Sequence, residues 1–176
     1  LFLMFQKRSY KLERLDTGDY TAGEYEICLS ELRFINRWIG DTWALKTTLV
    51  REIESDDLNE FSVLDVGAGS GELLREIAKF SRKKERNAKL IGLEYNQRSS
   101  ESIASESKDF REISAIRGDG FSLPFADNSF DYTICSLFTH HLTGEQISLV
   151  LPEMFRVASR RVIVIDLQRS VKAWLL

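Results

Sequence analysis

The sequence predicts an α/β domain built on a doubly wound, mostly parallel sheet. Three observations carry that prediction. Val63, Leu64 and Val66 form a short apolar run broken only by Asp65, and the run leads into three glycines at alternate positions, Gly67, Gly69 and Gly71. Directly afterwards Leu73, Leu74, Ile77 and Ala78 recur with helical spacing, so the stretch reads as buried strand, tight turn and helix start. A second apolar run, Lys89-Leu-Ile-Gly-Leu-Glu94, ends in an acid 23 residues beyond Gly71, and strand-like and helix-like segments continue to alternate, as a sheet with crossover helices requires.

The glycine turn is the element around which function is read. Glycine accepts positive φ and lets a ligand approach the backbone closely, and the helix behind it offers unpaired N–H groups. Dinucleotide-binding turns read G-x-G-x-x-G, whereas Gly67-Ala68-Gly69-Ser70-Gly71 reads G-x-G-x-G and follows Asp65. A turn that binds nothing, or binds another nucleotide, is the alternative this stretch leaves open. With its flanks, V-L-D-V-G-A-G-S-G resembles the first motif of the S-adenosylmethionine-dependent methyltransferases with the Rossmann-like fold. The resemblance implies that Asp65, Gly67, Ala68, Gly69 and Gly71 hold the methionine end of S-adenosyl-L-methionine, whose product is S-adenosyl-L-homocysteine.

Composition narrows the rest. A chain of 176 residues fits one fold domain and can bury a substantial core. A net charge of −3 sets up no global field that would draw it to nucleic acid or anionic lipid. Cys28 and Cys135 lie far apart, which suggests neither a disulfide framework nor a zinc site, and a reducing cytoplasm is the expected compartment. The apolar Leu1-Phe-Leu-Met-Phe5 is too short for a membrane span or a full signal core. Because the chain opens without an initiator Met, residues are expected to precede Leu1.

Residues 1–22 carry no clear period. From Glu24 to about Ile53 the pattern is helical, with Tyr25, Cys28, Leu29, Leu32, Ile35, Trp38 and Ile39 at three- and four-residue intervals. Gly40-Asp-Thr interrupts it, and Thr42 is expected to cap a second helix through Leu45, Leu49 and Ile53. These helices are expected to cover a sheet face and, by the resemblance, to form a lid; residues 1–57 are therefore read as a helical cap and 58–176 as the cofactor-binding core. Asn36 and Arg37 are candidates to point into the site. After the glycine turn the helix is expected to end near Phe80 in Arg82-Lys-Lys-Glu-Arg86, a cationic helix end read as solvated rather than as a nucleic-acid patch.

Glu94 closes the second strand, where a carboxylate's two oxygens match the vicinal hydroxyls of a ribose. The resemblance makes Glu94 the ribose ligand and sets Tyr95 beside the adenine. Asn96 is expected to cap a helix over about Gln97 to Ser107. Ile113-Ser-Ala-Ile-Arg117 reads as a third strand leading into Asp119, which can accept from the exocyclic amine of adenine, with N–H groups near Gly120 and Phe121 toward the ring nitrogens. The following Leu123-Pro-Phe-Ala-Asp-Asn-Ser-Phe-Asp131 resembles the L-P-F-x-D-x-S-F-D signature of the methyltransferase subgroup that contains the ubiquinone and menaquinone biosynthesis enzymes; its residues read as mostly structural.

A fourth strand, from Phe130 through Tyr132 and Ile134, ends in Cys135-Ser136, followed by Thr139-His140-His141. In open α/β folds ligands bind outside the carboxyl ends of strands, so this stretch, Ser136 included, is expected to face the cofactor and the transferred group. The Asn/Asp-Pro-Pro-Tyr/Phe signature of exocyclic-amine methyltransferases is absent, which argues against nucleic acid as substrate. The only two histidines in the chain stand here instead. A hydroxyl acceptor must lose its proton, and an imidazole titrating near neutrality suits that role, with His141 favoured over His140; the alternative is that one histidine caps the next helix. Thr143 and Gln146 fit a capping box for that helix, which Pro152 can kink. A fifth strand, Arg160-Arg-Val-Ile-Val-Ile-Asp166, is expected to be fully buried. The ending Asp166-Leu-Gln-Arg-Ser170 resembles a bacterial subgroup encoded beside polyketide-type pathways.

The resemblance implies seven strands in the order 3-2-1-4-5-7-6, of which five are accounted for, so strands six and seven are expected to lie outside this sequence, and the fragment alone is not expected to be a competent catalyst. The function expected is methyl transfer from S-adenosylmethionine to an oxygen or carbon of an aromatic, quinone-like or polyketide-like small molecule, without a metal, nucleic acid or membrane insertion; a homodimer is left open. A non-catalytic cofactor-binding module and an NAD-dependent oxidoreductase are the alternatives.

Overall fold

A computed structural model describes residues 41–166, together with Thr21, Gly23, Glu24 and Ile27. Most of the helical pattern expected between Glu24 and Ile39, including Asn36 and Arg37, lies outside the described residues. At its start the Thr21 hydroxyl accepts the N–H of Glu24, whose carboxylate accepts the N–H of Thr21, a reciprocal cap at a helix start.

The described chain begins with helix α1 (Asp41–Leu45), a π-helical stretch (Lys46–Val50) and helix α2 (Arg51–Ser55). Thr42 lies inside the first turn of α1 and is therefore not its cap, contrary to expectation. Strand β1 (Glu60–Val66) precedes the glycine turn and helix α3 (Glu72–Lys83). Strand β2 (Asn87–Glu94), helix α4 (Gln97–Glu106) and strand β3 (Ile113–Arg117) follow. Strand β4 (Phe130–Ser136), a 3-10 turn (Thr139–His141), helix α5 (Gly144–Val157) and strand β5 (Ala158–Ile165) complete the described order.

The five strands form one parallel sheet in the order β3-β2-β1-β4-β5, the first five positions of the predicted arrangement. Alternation along β1 sends Phe61 and Val63 to one side and Leu64 and Val66 to the other. On the first side they pack with Leu45, Leu49 and Ile53 of the N-terminal helical segment and with Leu73, Leu74 and Ile77 of α3. On the second they pack with Ile91 and Leu93 of β2 and Val150, Met154 and Val157 of α5. Both faces are thus covered, as an all-parallel sheet requires. The segment Asp41–Ser55 serves as the expected face cover; a lid would rest on residues outside those described.

Local caps agree with the sequence. Asn96 Oδ1 accepts the N–H of Arg98 at 2.9 Å, and Thr143 and Gln146 form the reciprocal capping box of α5. Neither histidine caps that helix.

Two expectations are corrected. The Arg82–Arg86 run is not simply solvated. Arg82 pairs with Glu112 through Nε at 2.6 Å and lies 4.6 Å from the Phe110 ring centroid, while Arg86 donates to the carbonyls of Ile53 and Leu58 at 2.8 Å. These cations satisfy backbone ends and a carboxylate brought close by the fold. Strand β5 is not fully buried either: it starts at Ala158, directly after α5, and Ser159, Arg160, Arg161 and Val164 are exposed. Among the described residues it pairs only with β4 and so forms a sheet edge.

The L-P-F segment has the structural role expected of it. Arg156 donates to the carbonyls of Phe125 and Leu123 at 2.8 and 3.0 Å and to Asp127 at 2.9 Å. Glu153, bonded to the same guanidinium at 2.8 Å, accepts the N–H of Leu123 at 2.8 Å. Asp131 accepts both the N–H and the hydroxyl of Ser62 at 2.8 Å, pinning β4 to β1.

Candidate functional site

A cavity of about 320 Å³ opens at the carboxyl ends of the central strands, lined by Val66, Gly67, Leu93, Glu94, Tyr95, Asp119, Gly120, Phe121, Phe138 and Leu142. It lies where the strand order reverses between β1 and β4, the position at which open parallel sheets bind ligands. Six of the predicted site residues meet there: Gly67, Glu94, Tyr95, Asp119, Gly120 and Phe121. Asp65, Ala68, Gly69, Gly71, Ser136, His140 and His141 are not among its lining residues.

The glycine turn is fixed from two sides. Gly67 donates to the carbonyl of Leu93 at 3.0 Å and Gly71 to that of Ala68 at 2.8 Å, while Gly69 donates to Glu94 Oε1 at 2.6 Å. Gly67 has φ +72, and a Cβ there would stand 2.6 Å from the Phe138 ring, so both conformation and space demand glycine. Gly71 begins α3 in the left-handed region and no side chain caps the helix there.

Two acids beneath the turn carry the site's electrostatics. Asp65 is 2% exposed, and its Oδ1 has no hydrogen-bond partner among the described residues. Burial, reinforced by the nearby charge of Glu94, pushes its carboxyl up to about 8. Glu94 is raised to about 7 by burial, opposed by the N–H groups of Gly69, Asn96 and Tyr95. A buried carboxyl oxygen without a partner is an unfilled requirement for a cation or a donor.

Asp119 follows β3, and its Oδ1 accepts the N–H of Phe121 at 2.9 Å. That N–H, expected to face a ligand ring, is thereby engaged by the protein itself. Tyr95 is 75% exposed at the cavity rim.

Beyond β4, Leu137 has φ +48, a left-handed conformation that costs a residue with a side chain about 1–2 kcal/mol. Its N–H donates to Ile165 at 2.9 Å, and the sharp turn delivers the Phe138 ring over Gly67. Sequence reasoning missed Phe138, since its contact with Gly67 joins positions distant in the chain. It also missed Asp166 as a site residue. Asp166 Oδ1 lies 2.7 Å from His140 Nδ1, and Oδ2 accepts the His140 N–H at 3.0 Å and the Thr139 hydroxyl. The His141 ring lies 4.1 Å from that of His140, tilted by 37°. Ser136 ends β4 half-buried, paired in register with Ile165. Cys135 is buried, and desolvation with the charges of Asp65 and Asp166 pushes its thiol up to about 12, which disfavours the thiolate.

The fold is a doubly wound α/β domain with a cavity at the carboxyl ends of its central strands. The profile of the methyltransferase domain family matches residues 63–161, more than half of the chain, and the chain belongs to that family. It is 31% identical over 99 residues to the ubiquinone/menaquinone biosynthesis C-methyltransferase of Rickettsia prowazekii, covering 54% of this chain and 39% of that protein. With the demethylmenaquinone methyltransferase of Porphyromonas gingivalis it shares 30% identity over 157 residues, 87% of this chain and 60% of that one. The chain therefore spans less than two thirds of either relative. Among solved structures it resembles the YcgJ protein of Bacillus subtilis, with a TM-score of 0.55, 26% identity and coverage of 67% and 49%. A SAM-dependent methyltransferase from Aquifex aeolicus gives a TM-score of 0.57 at 19% identity, covering 81% of this chain and 74% of that one, a likeness of fold.

Proposed function

We propose that this chain is the cofactor-binding part of an S-adenosylmethionine-dependent methyltransferase that acts on a hydroxyl-bearing, quinone-like aromatic small molecule. The observation that carries the reading is the pair of carboxylates, Glu94 and Asp119, at the ends of adjacent strands on one cavity. The residues fit the cofactor: it brings an ammonium and a sulfonium to a site with buried, charge-starved acids, a diol to Glu94 and an exocyclic amine to Asp119. Asp65 and the turn of Gly67, Ala68, Gly69 and Gly71 would hold the methionine end. Glu94 would hold the ribose with Tyr95 beside the adenine, Gly120 would serve the ring through its amide, and Val66, Leu93, Phe138 and Leu142 would supply apolar walls. Bound there, the cofactor supplies an electrophilic methyl group.

The protein's own residues then have two tasks. The strand ends and the Phe138 wall align the acceptor and exclude water, which is most of what an in-line displacement needs. A histidine of the pair at 140 and 141 takes the acceptor's hydroxyl proton. The quinone-like acceptor class is supported by the names of the two relatives above; polyketide-like phenols share the same hydroxyl chemistry. The test is transfer of an isotope-labelled methyl group from S-adenosylmethionine into a reduced 1,4-naphthohydroquinone and a panel of polyketide phenols. Label in the organic product supports the reading. S-adenosylhomocysteine binding with no labelled product from the full-length protein across the panel favours a non-catalytic binding module, and NAD binding in its place overturns the assignment.

A further inference from the structure

We propose that Asp166 is the positioning residue that makes His140, rather than His141, the base of this reaction. The inference rests on the methyltransferase reading above and deepens it. Ser136 of β4 and Ile165 of β5 are paired in register, so the residues just beyond the two strand ends face each other. One side contributes the 3-10 turn Thr139–His141 and the other contributes Asp166. Both carboxylate oxygens are used: Oδ1 on the His140 ring at Nδ1, Oδ2 on the His140 backbone N–H and on the Thr139 hydroxyl. A ring held through its own backbone and through Nδ1 has one orientation. The two side chains are only 28% and 16% exposed, so the pair is partly shielded from water and its electrostatics are correspondingly stronger.

The chemistry follows from the tautomer. A carboxylate at Nδ1 keeps the proton on Nδ1 and places the ring's lone pair on Nε2. Nε2 takes the acceptor's hydroxyl proton. The O–H bonding pair stays on the acceptor: for transfer to oxygen an oxygen pair forms the bond to the methyl carbon, and for transfer to the ortho carbon the oxygen pair becomes the C=O π bond while a ring π pair forms the bond to the methyl carbon. The methyl–sulfur bond breaks with its pair going to sulfur, which becomes a neutral thioether. At the carbon position the ring hydrogen is afterwards lost and the oxygen regains a proton, restoring the aromatic hydroxyl. One positive charge is present before, on sulfur, and one after, on the His140 imidazolium facing Asp166. The two rings lie 4.1 Å apart, and the Asp166 carboxylate is bonded to the His140 ring.

The test begins with nitrogen-15 NMR of the imidazoles in the free protein above neutral pH, where the chain's two histidines are assigned with the help of His141→Ala. The wild type is expected to show His140 as the Nδ1–H tautomer, and Asp166→Asn is expected to move it toward Nε2–H. In the full-length protein, with a 1,4-naphthohydroquinone as acceptor, Asp166→Asn is expected to lower kcat by about 10- to 100-fold, at or below the ~10²–10⁴-fold that a general base itself contributes. Its affinity for S-adenosylhomocysteine should stay within about twofold of wild type, and Asp166→Glu should recover part of kcat. An Nε2–H tautomer in the wild type overturns the proposal without any variant. So does unchanged kcat in Asp166→Asn beside a collapse in His141→Ala. Failure of the wild type to bind S-adenosylhomocysteine strikes the methyltransferase reading instead, so the two failures are distinguishable.

Discussion

Glu94 Oε1 accepts the backbone N–H of Gly69 at 2.6 Å, so the acid that closes β2 grips the middle of the turn that follows β1. One carboxylate thereby organises two parts of the cavity. The N–H groups of Asn96 and Tyr95 also act on this carboxyl, so only part of its acceptor capacity is left to face a ligand while the turn is held. Ligand affinity and turn geometry are consequently coupled through this one side chain.

The three glycines of the turn do not carry equal weight. Gly67→Ala places a Cβ 2.6 Å from the Phe138 ring at φ +72, whereas a Cβ at Gly69, φ +58, meets nothing within 4 Å. Gly69→Ala is expected to cost about 1–2 kcal/mol from its left-handed conformation alone. Gly67→Ala is expected to cost about 1–3 kcal/mol more from overpacking. Urea unfolding of the two variants checks the order, and trimming the ring with Phe138→Ala should recover part of the Gly67→Ala loss.

Stability should fall as pH rises toward 8. Asp65 is raised from 3.8 to about 8 and Glu94 from 4.5 to about 7. In that window the folded state binds more protons than the unfolded chain, so the slope of unfolding free energy with pH is negative. The contribution is fully present below the unfolded carboxylate range and is lost as pH rises through the folded values. Urea midpoints are expected to be higher at pH 5 than at pH 8, with a flatter profile in Asp65→Asn. A profile that rises across this window in the wild type would contradict the environment assigned to these acids.

Arg156 is the clamp on the loop that follows Asp119. Arg156→Lys keeps the charge and loses the planar fork that reaches Leu123, Phe125, Asp127 and Glu153. It is expected to destabilise the fold through the hydrogen bonds that Lys cannot replace, and to weaken S-adenosylhomocysteine binding because Gly120 and Phe121 lie just before the clamped segment. Denaturation and calorimetry read the two effects separately.

The elements legible in the sequence are those written in local pattern. The apolar runs around Val63 and Ile91, the helical spacing of Leu74 and Ile77, and the caps at Asn96 and Thr143 each act within a few residues, and the structure places them accordingly. The glycine turn and the acids Glu94 and Asp119 were legible because their spacing along the chain carries their arrangement at the cavity. What stayed hidden depends on contacts between distant positions. The Phe138 ring over Gly67, the carboxylate of Asp166 on His140, and Arg86 on the carbonyls of Ile53 and Leu58 have no signature in local sequence. The exposure of β5 was hidden for a related reason: an apolar run shows that a strand can be buried, and only its neighbours in the sheet decide whether it is.

The central claim, that the cavity receives S-adenosylmethionine with Glu94 on its ribose, is tested most directly by calorimetric titration with S-adenosylhomocysteine of the wild type and Glu94→Ala. The account predicts micromolar binding that the substitution weakens by about 1–3 kcal/mol, the loss of charge-assisted hydrogen bonds. Wild-type binding that Glu94→Ala leaves unchanged, or no binding by the wild type, would contradict it.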